Sequence, residues 1–154
     1  MKVLFLTKYT DLGASSRMRT YQYIQFYKEA GIECTVEPFF NDDYLRKLYA
    51  GKRNKWILIL FYFKRLYVLG TAFKFDKIYI EKEIFPYMPA FAEYFLSVLK
   101  KKYVVDYDDA IFHNYDKNAN VLLRKFLGNK IDQVMKYAEV VITGNTYLAE
   151  RAAK

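Results

Sequence analysis

The chain alternates short apolar runs with longer stretches in which apolar residues recur every three or four positions. Lys2–Thr7 reads as a buried strand, followed by a loop from Lys8 to Ser15 that contains Gly13. Thr20, Tyr23, Ile24, Tyr27 and Ala30 then fall on one helical face, with Arg19, Gln22, Gln25 and Glu29 opposite, and Gly31 is placed to end that helix. Ile32–Glu37 is a second strand stopped by Pro38, and Asn41–Ala50 is a short polar helix with Asn41 as its cap. Lys52–Phe75 is ambiguous at its start, where Trp56-Ile57-Leu58-Ile59-Leu60-Phe61 would suit a strand. The apolar character continues beyond Lys64-Arg65 for longer than strands run, which favours a helix. Further strands are expected at Lys77–Glu81, Tyr103–Asp106 and Glu139–Thr143, and further helices after Pro89, through Leu123, Leu127, Ile131 and Val134, and after an Asn145 cap.

Strands alternating with helices predict an α/β fold, a Rossmann-like three-layer sandwich with a mostly parallel sheet. The length of 154 residues suits one domain over 1–154. The ending in Arg151-Ala152-Ala153-Lys154, without a stop signal, reads as a fragment of something longer.

Composition narrows the partners. The chain is 53% hydrophobic and 19% aromatic, with a net charge of +8, so anionic ligands or surfaces suit it better than cationic ones. The basic residues are scattered, which argues against nucleic acid as a partner. The single Cys34 excludes an intrachain disulfide and fits a reducing compartment. The apolar run after Met1-Lys2 is too short for a signal peptide, so a cytoplasmic location is expected, with contact at the inner face of the membrane as an extension. That extension rests on Lys52, Arg53, Lys55, Lys64 and Arg65, which flank aromatics and aliphatics as in interfacial helices.

In open α/β sheets ligands collect at the carboxyl ends of strands. Three stretches qualify. The loop Tyr9–Arg19 carries Gly13, Ala14, Ser15 and Ser16, small residues that allow close approach to backbone amides, with Arg17 and Arg19 as charged donors; an ordinary turn fits as well. It matches neither the dinucleotide nor the P-loop fingerprint, so no cofactor follows. Glu81 and Glu83 close a second strand. Asp106, Asp108 and Asp109 close a third, followed by the only histidine, His113. Three chemistries fit the acids: a divalent metal bridging a sugar-nucleotide diphosphate, the nucleophile motif of haloacid-dehalogenase-like phosphatases, or metal-free hydrogen bonding to hydroxyls. The first strand exit, Glu81 and the acids are expected to share one cleft.

Taken in order, Lys2-Val-Leu-Phe-Leu-Thr, Leu12-Gly-Ala-Ser-Ser-Arg, Ile80-Glu-Lys-Glu-Ile-Phe-Pro-Tyr, Val105-Asp-Tyr-Asp-Asp-Ala-Ile-Phe-His and Val141-Ile-Thr-Gly-Asn-Thr resemble the N-terminal half of a GT-B glycosyltransferase of the family-four (RfaB-like) group. The resemblance implies an acceptor-side domain whose donor-binding C-terminal domain is missing, and a retaining, metal-independent sugar transfer from a nucleotide-sugar co-substrate. The acceptor would be a glycan or lipid-linked molecule of the cell envelope, and the domain alone would be inactive. It implies phosphate contacts at Gly13–Arg17 and substrate contacts at Glu81, Asp106, Asp108, Asp109 and His113. The alternatives are a metal-dependent phosphotransferase using Asp106 and Asp108, or a basic module that binds lipid surfaces or nucleic acid.

Overall fold

The computed structural model describes residues 1–51 and 55–154, the side chain of Lys55 excepted. Five strands, β1 (Lys2–Thr7), β2 (Glu33–Pro38), β3 (Lys77–Glu81), β4 (Tyr103–Tyr107) and β5 (Val140–Thr143), form one parallel sheet in the order β2-β1-β3-β4-β5. Helices flank the sheet, which makes the fold α/β. The chain forms two compact units, Met1–Ile78 and Tyr79–Lys154.

In the first unit, five consecutive buried residues of β1 follow from its run of apolar side chains with a terminal Thr. Its partner β2 lies at the sheet edge, in register from Lys2 opposite Glu33 to Thr7 opposite Pro38. Pro38 is tolerated there because an edge strand can forgo one donor. The helix predicted through Thr20 is interrupted. It divides into α1 (Ala14–Arg19), a 3₁₀ turn at Tyr21–Tyr23 and α2 (Ile24–Glu29). The break sits at Thr20, whose buried side chain accompanies a non-helical backbone (φ −127°, ψ −64°). Gly31 ends α2 at φ +75°, where an L side chain would be strained. In α3 (Asp42–Tyr49) the Asn41 side chain accepts from the Tyr44 amide at 2.9 Å, as a cap should.

The long apolar stretch is helical, as its length suggested: α4 spans Lys55–Thr71. Phe61 packs against Phe40 and Tyr44 with ring centroids 5.6 and 5.4 Å apart, and Tyr62 meets Phe39 edge-on at 5.2 Å. Between these rings and Val68, the buried Arg65 guanidinium donates to the Thr7 carbonyl at 2.7 Å. One face of α4 is thereby fastened to the carboxyl end of β1.

The second unit contains α5 (Phe91–Val98), α6 (His113–Asp116), α7 (Val121–Leu127), α8 (Lys130–Tyr137) and α9 (Thr146–Ala152). The single helix expected through Leu123–Val134 is two, because Gly128 and Asn129 end one and begin the other. Asn145 caps α9 by accepting from the Leu148 amide at 2.9 Å. The core of this unit is aromatic and aliphatic: Tyr103, Tyr107, Phe112, Tyr115, Ile131 and Val134 are buried.

Candidate functional site

The first loop is held by its own chain. A Cβ on Gly13 would lie 2.4 Å from Cβ of Tyr9, so glycine is required by the close approach of that side chain. The buried Ser16 hydroxyl accepts from the Tyr9 amide at 3.0 Å, and Arg17 Nη1 donates to the Asp11 carbonyl at 3.0 Å. Ala14 is exposed, Ser15 and Arg19 are half-buried, and α1 is only six residues long. The small residues thus have a packing role, and one of the two arginines is engaged by the loop. This loop belongs to the first unit, while Glu81, Glu83, the three aspartates and His113 belong to the second.

In the second unit the acids separate instead of converging. Asp106 lies inside β4, buried, and accepts from the Tyr79 hydroxyl. Asp108 and Asp109 each lie 2.8 Å from Nζ of Lys82. Lys82 adopts the left-handed backbone (φ 69°) immediately after β3, which turns its ammonium onto the exit of β4. Burial alone would lower its pKa, but hydrogen bonds and charge from the two aspartates outweigh this and hold it above the ordinary lysine value. Among the described residues no group of three or more His, Cys, Asp or Glu side chains is placed to hold a metal ion. The phosphotransferase alternative, which needed Asp106 and Asp108 free to act, is corrected accordingly: one is engaged by a tyrosine and the other by a lysine.

Glu81 is buried, and Glu83 is half-buried with its side chain only 8% exposed. Glu83 receives the Tyr115 hydroxyl at 2.7 Å and the ammonium of the fully buried Lys130, which also donates to the Phe85 carbonyl at 2.5 Å. Glu93, buried on α5, accepts from the Ile84 amide at 2.9 Å. Burial raises its pKa more than that hydrogen bond and Lys130 lower it. Burial, reinforced by Glu83, likewise pushes the phenols of Tyr107 and Tyr115 upward. Together these groups clamp the loop after β3: Tyr87 donates its amide to Tyr115 at 3.0 Å while adopting φ 56°. His113 is held between Asp116 Oδ1 (2.9 Å from Nδ1) and the Tyr147 hydroxyl (2.8 Å from Nε2), with Lys117 Nζ 3.1 Å from Nε2. Arg151 completes this cluster with paired bonds of 2.7 and 2.9 Å to Asp132. Tyr79, Lys82, Tyr115 and Lys130 were not singled out by sequence reasoning. Nothing in a single sequence marks a lysine as buried, nor a lysine as left-handed.

The remaining candidate is a surface. On the face of α4 opposite Phe61, Arg65 and Val68, the side chains of Trp56, Ile59, Leu60, Phe63, Leu66 and Tyr67 are exposed, Trp56 by 80% and Tyr67 by 77%. Such an uninterrupted apolar stripe exceeds the scattered exposure normal for a folded surface. Of the basic residues expected to flank it, Lys52, Arg53 and the Lys55 side chain lie outside the described residues. Lys64 is exposed and reaches Glu37 at 3.0 Å, whereas Arg65 points inward.

No family model matches the chain, and no curated protein does. Among solved structures it is similar to one described as a "putative quinone reductase" from Klebsiella pneumoniae, with 12% identity and a TM-score of 0.41 over 99% of this chain and 81% of that one. A likeness at this level carries no argument about activity. With no family model and no curated protein matching, the expected membership of the family-four glycosyltransferases is corrected, and with it sugar transfer, the retaining outcome and the role in polysaccharide assembly. The residues that suggested the resemblance have local roles instead. Gly13 accommodates Tyr9, Asp106 is bonded to Tyr79, and Asp108 and Asp109 balance Lys82.

Proposed function

We propose that this is a peripheral membrane protein whose first unit docks on an anionic lipid surface through α4. The observation that carries this reading is the exposed Trp56–Tyr67 stripe on a helix whose other face is fastened to the sheet. Interfacial helices combine an apolar face with basic flanks, and tryptophan and tyrosine favour the headgroup level. Charge supports an anionic partner. Met1–Ile78 contains fourteen Lys and Arg against seven Asp and Glu, whereas Tyr79–Lys154 contains eleven against ten. Nearly all the net charge therefore belongs to the unit that bears the stripe.

By length and composition Trp56–Lys74 is also able to cross a bilayer. Spanning would take Arg65 from the Thr7 carbonyl and Phe61 from its aromatic neighbours, leaving a charge among lipid tails. A helix lying in the interface retains both contacts. Partial burial of six large side chains contributes on the order of 1 kcal/mol each, enough for reversible binding.

Co-flotation with vesicles tests this reading. The protein should float with phosphatidylcholine vesicles containing phosphatidylglycerol at low salt, and far less with phosphatidylcholine alone. Leu60→Glu with Phe63→Glu should weaken binding at least about tenfold without loss of folding. Equal flotation of this variant would refute docking through α4. Self-association of the wild type that is abolished by the same substitutions, without flotation, would reassign the stripe to a second copy of the chain.

A further inference from the structure

The second unit carries a smaller surface with the same pairing of apolar and basic groups. The inner face of α5 buries Ala92, Glu93 and Leu96, while Tyr94, Phe95, Val98 and the following Leu99 are exposed. Lys100, Lys101 and Lys102 come next. The Lys100 amide donates to the Ser97 carbonyl at 2.9 Å and the Lys101 amide to the Leu96 carbonyl at 2.8 Å, so the first two lysines are fixed to the end of the helix, and Lys102 follows them. Lys100 takes a left-handed φ of 56°, the position at a helix end where glycine is the usual residue. A lysine retained there strains the backbone. Strained side chains of this kind concentrate where the side chain itself is needed.

Next to this turn is a hollow of about 390 Å³, lined by Ser97, the three lysines, Tyr137 and Glu139. Glu139 lies 3.0 Å from Lys102, which leaves the hollow a net charge of two positives. Its volume suits a glycerophosphate-sized group. The apolar residues Phe95, Val98 and Leu99 adjoin the lysine turn in sequence and are exposed, as a lipid contact requires.

We propose that Ser97 and Lys100–Lys102 form a binding site for the phosphate headgroup of an anionic phospholipid, with Phe95, Val98 and Leu99 contacting its acyl chains. This rests on the membrane reading above and names the lipid chemistry that the second unit selects. Lysine acts as a point charge toward phosphate, and the Ser97 hydroxyl adds a neutral donor. A free phosphate has the same charge but no chains, so it should not reproduce the apolar part of the contact.

The test uses amide NMR with dihexanoyl phosphatidic acid below its micelle concentration. Shifts at Ser97, Phe95 and Lys100–Lys102 that saturate with added lipid are expected. No shift there would overturn the proposal, and equal shifts from inorganic phosphate alone would reassign the site to soluble phosphate and also overturn it. In flotation, K100Q/K101Q/K102Q should lower affinity for anionic vesicles about tenfold while leaving folding intact. Affinity equal to wild type would contradict the headgroup role. The Leu60→Glu, Phe63→Glu variant separates the two readings. It should lose flotation yet still show the short-chain lipid shifts, so retained flotation counts against α4 docking and absence of the shifts counts against the lysine site.

Discussion

In Met1–Ile78 basic residues outnumber acids two to one, and Arg65 is the one basic side chain buried among the described residues. In Tyr79–Lys154 the charges nearly balance, yet Lys82, Lys130, Glu81, Glu93 and Asp106 are all drawn inside. The first unit keeps its charge at the surface and leaves a long helix face apolar and exposed. The second uses charge as internal structure, locking the exits of β3 and β4. Surface charge with an apolar face suits attraction to a lipid surface, whereas buried and paired charge suits a fixed local geometry. Charge in the chain is therefore informative about partners only after burial has been taken into account.

The largest expected effect lies in the buried network. Lys130→Met leaves Glu83 without its cation and should cost about 3–5 kcal/mol in urea unfolding. A cost below about 1 kcal/mol would mean that the second unit does not depend on this pair, and the contrast between the units would fail. In the first unit, Gly13→Ala forces a methyl group against Cβ of Tyr9 and should cost about 1–3 kcal/mol. If the glycine were kept for a ligand instead, the apo protein would lose nothing, and thermal unfolding without additives decides between these.

How much of this was legible in the sequence depends on the range of the interaction. Strands β1, β3 and β4 were legible because each is a short apolar run, and α4 because its apolar run exceeds strand length. The breaks at Thr20 and Gly128 were not, since each depends on how a residue meets neighbouring chain rather than on periodicity. The acids at Asp106–Asp109 drew attention through composition alone. Their meaning depended on Lys82, whose left-handed backbone brings its ammonium across from another strand. No local propensity predicts that turn in a lysine. The family resemblance failed for a related reason, since its motifs are short and each has a sufficient local explanation. The exposure of α4 could be anticipated only in part: its apolar excess is visible in the sequence, but which face is covered is set by Phe39, Phe40 and Tyr44.

A smaller effect probes the pH response of the second unit. Burial raises the Glu93 pKa above its ordinary value of 4.5, so the folded protein binds this proton more tightly than the unfolded chain. The corresponding stability is complete below about pH 4.5 and is lost as pH rises through the folded value. Glu93→Gln keeps the acceptor for the Ile84 amide and should remove that loss, raising stability at pH 7. Denaturant midpoints of both proteins between pH 4 and 8 should therefore diverge with rising pH; parallel curves would show that Glu93 is ionised in the fold without penalty.

Docking through α4 is most directly measured by the fluorescence of Trp56, the only tryptophan in the chain and 80% exposed on that helix. Titrating the protein with phosphatidylglycerol-containing vesicles should shift its emission to the blue, and lipids brominated near the headgroup should quench it. Unchanged emission at lipid concentrations that bind the protein, or quenching only by bromines deep in the acyl chains, would contradict a helix lying in the interface.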